Sequence, residues 1–108
     1  LTTDVCLEGP AQKHFAKAPK PIQAELRRLA SRLASDPQSG EHVPAADVHN
    51  KATVKKWERR VGRVRSLYKL TLADGWRALY TIGSHGADRV VMILEIVDHK
   101  RYDRLMGY

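Results

Sequence analysis

From residue 64 onward the chain alternates. Val64, Tyr68, Leu70 and Leu72 recur at even spacing, with Arg63, Arg65, Lys69 and Thr71 between them. That is the period of an extended strand with one apolar and one basic face. Ala73-Asp74-Gly75 supplies a turn, since Asp-Gly flanked by strands is a strong hairpin signal. Beyond it Trp76, Ala78, Tyr80 and Ile82 share one parity, leaving Arg77, Leu79 and Thr81 on the other. A second turn over residues 83–88 leads into 90–97, apolar enough for a central strand. Three strands in this order form an antiparallel meander with an apolar face that something else must cover.

The N-terminal half supplies the cover. Val5 and Leu7 alternate with Asp4, Cys6 and Glu8 before Gly9-Pro10, the pattern of a short strand ended by a breaker pair. Residues 11–17 read as a short helical segment anchored by Phe15. Pro19 and Pro21 suit the first turn of a second helix, in which Ile22, Leu26, Leu29 and Leu33 form one stripe. Burying those four side chains contributes on the order of 6 to 12 kcal/mol before entropy, so the helix needs a sheet to lie on. It should stop near Asp36-Pro37. Residues 38–50 read as a loop, Asn50 as the cap of a short helix through Trp57, and Asp98 onward as a final helical turn through Leu105. The expected fold is α+β in one domain over residues 1–108. A small antiparallel sheet, the N-terminal strand plus the C-terminal three-stranded meander, carries two N-terminal helices on one face. The opposite face is left to carry function.

Charge narrows the partner. Nineteen Lys and Arg against twelve Asp and Glu give a net charge of +7, which favours a polyanion such as nucleic acid, with solubility as the plainer reading. Cys6 stands alone and cannot form an intrachain disulfide, so a reducing, cytoplasmic setting is the expectation. No run approaches the ~18 apolar residues of a membrane span, and the first residues lack a signal peptide's basic and apolar stretches. With Leu1 where an initiator Met would stand, a few native residues are expected to precede it. The histidines at 14, 42, 49, 85 and 99 lack close ligand spacing, and Asp47 with His49 is too weak a pair to count as a metal site. No phosphate-loop or dinucleotide glycine pattern is present, so neither metal nor cofactor is expected.

Three sets of residues can carry chemistry. Arg77 should project from the sheet face away from the helices, as a fixed cationic fork for a phosphate or as an ordinary exposed arginine. His99 can transfer a proton near neutral pH or serve structure. Its neighbours Lys100 and Arg101 offer phosphate contacts, and Tyr102 a hydroxyl or a stacking face. Lys51, Lys55, Lys56, Arg63, Arg65 and Lys69 form a basic row that would add affinity without sequence choice, or only a solvated face. Glu58 is the one carboxylate near that row, as a base or, more simply, as an ion-pair partner of Arg59 or Arg60.

The arrangement Tyr68-Lys69-x-x-Leu72, then Gly75-x-Arg77-x-x-Tyr80, then an apolar strand and Asp98-His-Lys-Arg-Tyr102, resembles the RelE/ParE superfamily of bacterial and archaeal toxins. The resemblance extends over nearly the whole chain. It implies a small toxin of a type II toxin–antitoxin system that enters the ribosomal A site and cleaves mRNA without a metal, with the ribose 2′-hydroxyl as nucleophile. Arg77 would stabilise the scissile phosphate, Lys69 would match a strand lysine of the RelE branch, and His99 and Tyr102 would supply acid, base or stacking groups. Thr71 departs from that branch, which commonly has a second lysine there, so His99 would take the proton-transfer role. The resemblance implies an antitoxin partner whose C-terminal segment wraps the toxin, with acidic residues suiting this surface. Two alternatives within the superfamily are a ParE-like inhibitor of DNA gyrase and a degenerate member that only binds antitoxin.

Overall fold

The structure, a computed structural model, describes residues 3–64 and 66–108; Arg65 of the expected basic row lies outside the described residues. In chain order the elements are β1 (Thr3–Leu7), α1 (Gly9–Lys17), α2 (Lys20–Ser35), β2 (Glu41–Pro44), α3 (Lys51–Val61), β3 (Ser66–Thr71), β4 (Arg77–His85), β5 (Asp88–Val97) and α4 (His99–Met106). The strands form one sheet in the order β1-β5-β4-β3-β2. The fold is α+β, as the periodicity implies, and β3-β4-β5 is the expected antiparallel meander.

The sheet is mixed, not wholly antiparallel. β1 pairs with β5 in parallel, Val5 opposite Val91 and Leu7 opposite Ile93. Side-chain alternation is the same for both strand directions, so the pattern of β1 could not choose between them. This pairing leaves β5 hydrogen-bonded on both sides, in keeping with its apolar composition. A fifth strand, β2, comes from the segment read as a loop and pairs with β3. It is an edge strand, where Pro44 removes no needed hydrogen bond. The second turn is also tighter than expected: β4 runs through Gly83 to His85, which pairs with Asp88, and Gly86 takes φ +64°.

One face carries α1 and α2. Ile22, Leu26 and Leu33 of α2 and Ala11 of α1 pack on Leu70, Leu72, Ala78, Tyr80, Val91, Ile93 and Ile96. Buried Gln23 donates to the carbonyls of Phe15 (2.9 Å) and Ala18 (3.0 Å), satisfying the end of α1. Tyr80 donates to Pro37 O (2.8 Å) and accepts from Gly40 N–H (3.0 Å), which pins the path from α2 to β2.

The other face is not free. Leu67, Leu79, Leu94 and Val97 point into it and are covered by Trp57 of α3 and by Tyr102, Leu105 and Met106 of α4. Leu67 and Leu79 sit at the parity read as basic or polar, and their burial is what calls α3 and α4 onto this face. Both helices start on side-chain caps. Asn50 Oδ1 accepts from Thr53 N–H (3.2 Å) and Asp98 Oδ1 from Arg101 N–H (2.9 Å). A left-handed Gly107 ends α4. Among the described residues, no helix is long and apolar enough to cross a membrane.

Candidate functional site

Strand register places the first set of residues. Arg77 opens β4 opposite Thr71 on one side and Val97 on the other. Asp98 follows as cap and α4 begins at His99, so the helix starts beside the arginine. The turn feeding Arg77 is held from two directions. Glu25 of α2 accepts from Ala73 N–H at 2.8 Å. Gly75, at φ +79°, lies so close to α4 that a Cβ there would come 3.0 Å from His99 Cβ.

Arg77 projects from the face opposite α1 and α2, as its parity requires. Its guanidinium carbon lies 5.3 Å from the centroid of the Tyr102 ring, and Nη1 donates to Trp76 O at 3.2 Å. Nε is buried with no acceptor among the described residues. No carboxylate among the described residues comes within ion-pair range of Arg77. A half-buried cation without an anionic partner has charge left for a ligand.

Lys69, reached from β3 on the same face, is 5.3 Å from the same ring centroid and 3.2 Å from Glu41 Oε2. Burial pulls its pKa down, but the Glu41 carboxylate and the Tyr102 hydroxyl outweigh that, and the net direction is upward. Lys69 is therefore a charged group at neutral pH and not a proton acceptor. Tyr102 itself is 4% exposed, so its ring braces two cations and offers no open face for a base. His99 is the exposed member, 63% accessible, with Nε2 3.2 Å from Asp103 Oδ2 one turn on. That i,i+4 pairing was missed, although the spacing was visible. Lys100 is exposed on the outer side of α4.

The other expected cations are spread over α3, the connection after it and α4. Lys51 donates to Ala46 O at 2.6 Å, Lys55 is exposed on α3, and Arg63 is exposed in the connection after it. Glu58 makes no ion pair with Arg59 or Arg60 among the described residues; its carboxylate accepts from Val64 N–H at 3.1 Å, tying α3 to the connection that leads into β3. Lys56 and Arg101 line a cleft on the other flank of α4. There Glu95 Oε1 accepts from Trp57 Nε1–H at 3.2 Å while Oε2 lies 3.3 Å from His14 Nδ1. His14, Trp57 and Glu95 were not anticipated; the signal was a lone carboxylate inside an otherwise apolar strand, which has to find partners.

The sheet is flanked by α1-α2 on one side and α3-α4 on the other, and comparison with solved structures shows this arrangement to be a RelE-like fold. The solved E. coli toxin RelE, a double arginine-to-alanine mutant in the free state, superposes with a TM-score of 0.60 over 99% of this chain and 96% of its own, at 13% sequence identity. Comparison of the sequence with protein-family models finds no match, and comparison with curated proteins finds none.

Proposed function

We propose that the chain is a single RelE-like toxin domain of a type II toxin–antitoxin pair, acting in the cytoplasm as a ribosome-dependent mRNA endoribonuclease. The observation that carries the reading is Arg77, cationic, with no carboxylate partner among the described residues and braced by Tyr102, in a fold like that of a toxin. Attack of a ribose 2′-hydroxyl on the adjacent phosphorus builds negative charge on the phosphoryl oxygens. Arg77 and Lys69 supply fixed positive charge where that charge develops. The P–O5′ bond breaks as the new bond forms, leaving a 2′,3′-cyclic phosphate; His99, exposed and hydrogen-bond capable, takes the 2′-hydroxyl proton and the departing 5′-oxygen takes one from water, with Asp103 orienting the His99 ring. Tyr102 acts as a positioning residue between the two cations. Lys51, Lys55, Lys56, Arg63, Arg65, Lys100 and Arg101 contribute phosphate contacts, and an antitoxin with an acidic segment holds the toxin inactive. The scheme uses no cofactor.

The test adds purified protein to translating ribosomes and maps mRNA ends for wild type, Arg77→Ala and His99→Ala. Wild type is expected to cut and both variants to lose most of the activity. Intact mRNA together with blocked gyrase supercoiling would replace this reading with the inhibitor one.

A further inference from the structure

A second group of charges converges on the opposite flank of α4. The cleft between α1, α3 and α4 has a volume of about 600 Å³ and continues into a neighbouring hollow of about 410 Å³, the two sharing Thr53, Glu95 and Arg101. Lys56, Arg59 and Arg60 of α3 and Arg101 of α4 line the larger part, and Arg104 the smaller. The volumes lie within the roughly 300 to 1,000 Å³ typical of ligand sites.

The cleft exists because of an irregularity in the sheet. A β-bulge at Leu79/Tyr80 sets Leu79 opposite Glu95 and Tyr80 opposite Ile93. Leu94 and Glu95 therefore both turn to the α3-α4 face, the first into the core and the second to the cleft floor. Glu95 is 13% exposed, and its oxygens face Trp57 and His14. Arg101 Nη2 lies 3.4 Å from His14 Nε2. His14 Nδ1 faces Glu95 outside hydrogen-bond geometry, so that approach is electrostatic. The floor carboxylate is thus held by neighbours and leaves the arginines on the rim to a ligand.

We propose that this cleft is a second phosphate-binding site that grips the RNA strand away from the cleaved bond, an inference that rests on RNA being the protein's partner. The lining favours a phosphate chain over a peptide. Trp57 and Leu105, the large apolar residues of the lining, are only 3% and 8% exposed and leave little for a peptide's apolar side chain to bury. The exposed residues of the lining are Lys56, Arg59, Arg60, Arg101 and Arg104, five cations, with Asn50 beside them, and the two hollows adjoin through Thr53, Glu95 and Arg101. Glu95 is the opposing charge and sets an upper bound on affinity.

The test is binding of a short single-stranded oligoribonucleotide by the whole protein without ribosomes, at a series of salt concentrations. Arg59→Ala with Arg101→Ala should weaken binding roughly tenfold and lower the log–log salt slope by about 0.7 for each cation removed. Glu95→Gln, which keeps an acceptor for Trp57, should tighten binding several-fold. An unchanged slope in the double variant overturns the site, as does an acidic peptide that binds there more tightly than RNA. Ribosomal mRNA cleavage, run in parallel, separates the two readings. Uncut mRNA with cleft-dependent oligonucleotide binding refutes the nuclease and keeps the cleft. Arg77-dependent cutting with wild-type slopes in the cleft variants does the reverse.

Discussion

Replacing Arg77 by Met should leave the fold standing and remove the proposed mRNA cleavage. The substitution deletes a charge-assisted hydrogen bond to Trp76 O and a cation–ring contact with Tyr102. General values put those losses at about 1.5 to 3 kcal/mol and about 0.5 to 2 kcal/mol. Against them stand relief of a buried Nε–H that has no acceptor among the described residues, about 1 to 3 kcal/mol, and relief of the partial desolvation of a half-buried charge, about 1 to 2 kcal/mol. Met fills much of the same volume, so the terms nearly cancel and the expected change in stability is within ~1 kcal/mol. In urea that moves the midpoint by no more than about 0.3 to 1 M. mRNA cleavage by contrast should fall about 10²- to 10³-fold, the usual cost of losing one transition-state donor. A midpoint shift equivalent to more than about 2 kcal/mol would show that Arg77 is a structural pillar. Cleavage retained within about tenfold would show that it does not meet the reacting phosphate.

Tyr80→Phe strands Pro37 O and Gly40 N–H, and should cost about 1 to 3 kcal/mol by urea unfolding. Burial raises the Tyr80 pKa above 10.0, so the hydroxyl's contribution is complete below that pH and fades as pH rises through the folded-state value; the gap between wild type and variant should narrow only in strong alkali. Lys69 is likewise shifted upward from 10.5, so its contribution is complete below that pH and lost above it. Amine-detected NMR of Lys69 should show a protonated group at neutral pH, and a deprotonated one would refute its electrostatic role. Asp98→Ala removes the α4 cap and should cost about 0.5 to 2 kcal/mol, with faster amide exchange confined at first to residues 99–106.

Legibility in the sequence followed the local periods. The α2 stripe, the Asn50 cap and the faces of β4 were readable because each depends on spacing within one element. The direction of β1 and the existence of β2 were not, since they depend on which edges the meander leaves open. Arg77, Lys69 and Tyr102 were each named from sequence, but their meeting was not: Tyr102 looked like a surface group until α4 folded it inward over the cations. Leu67 and Leu79 were the available warning, two leucines on a face assigned to charge.

The bulge accounts for the rest. By strict alternation from Val91 and Ile93, Glu95 belongs on the α1-α2 face, where a carboxylate would be buried among Ile22, Leu26 and Leu33 at a cost of several kcal/mol. A two-residue step at Leu94 and Glu95 moves the charge to the other face, returns Ile96 to the first core and sets Val97 in the second. It also carries Val97, and with it the start of α4, into line with Arg77. One local insertion of register therefore decides three things together: that Glu95 finds Trp57 and His14, that a basic cleft opens beside it, and that Tyr102 descends between Lys69 and Arg77. A sequence reader who treats a lone glutamate in an apolar strand as a sign of broken alternation would recover both flanks of α4.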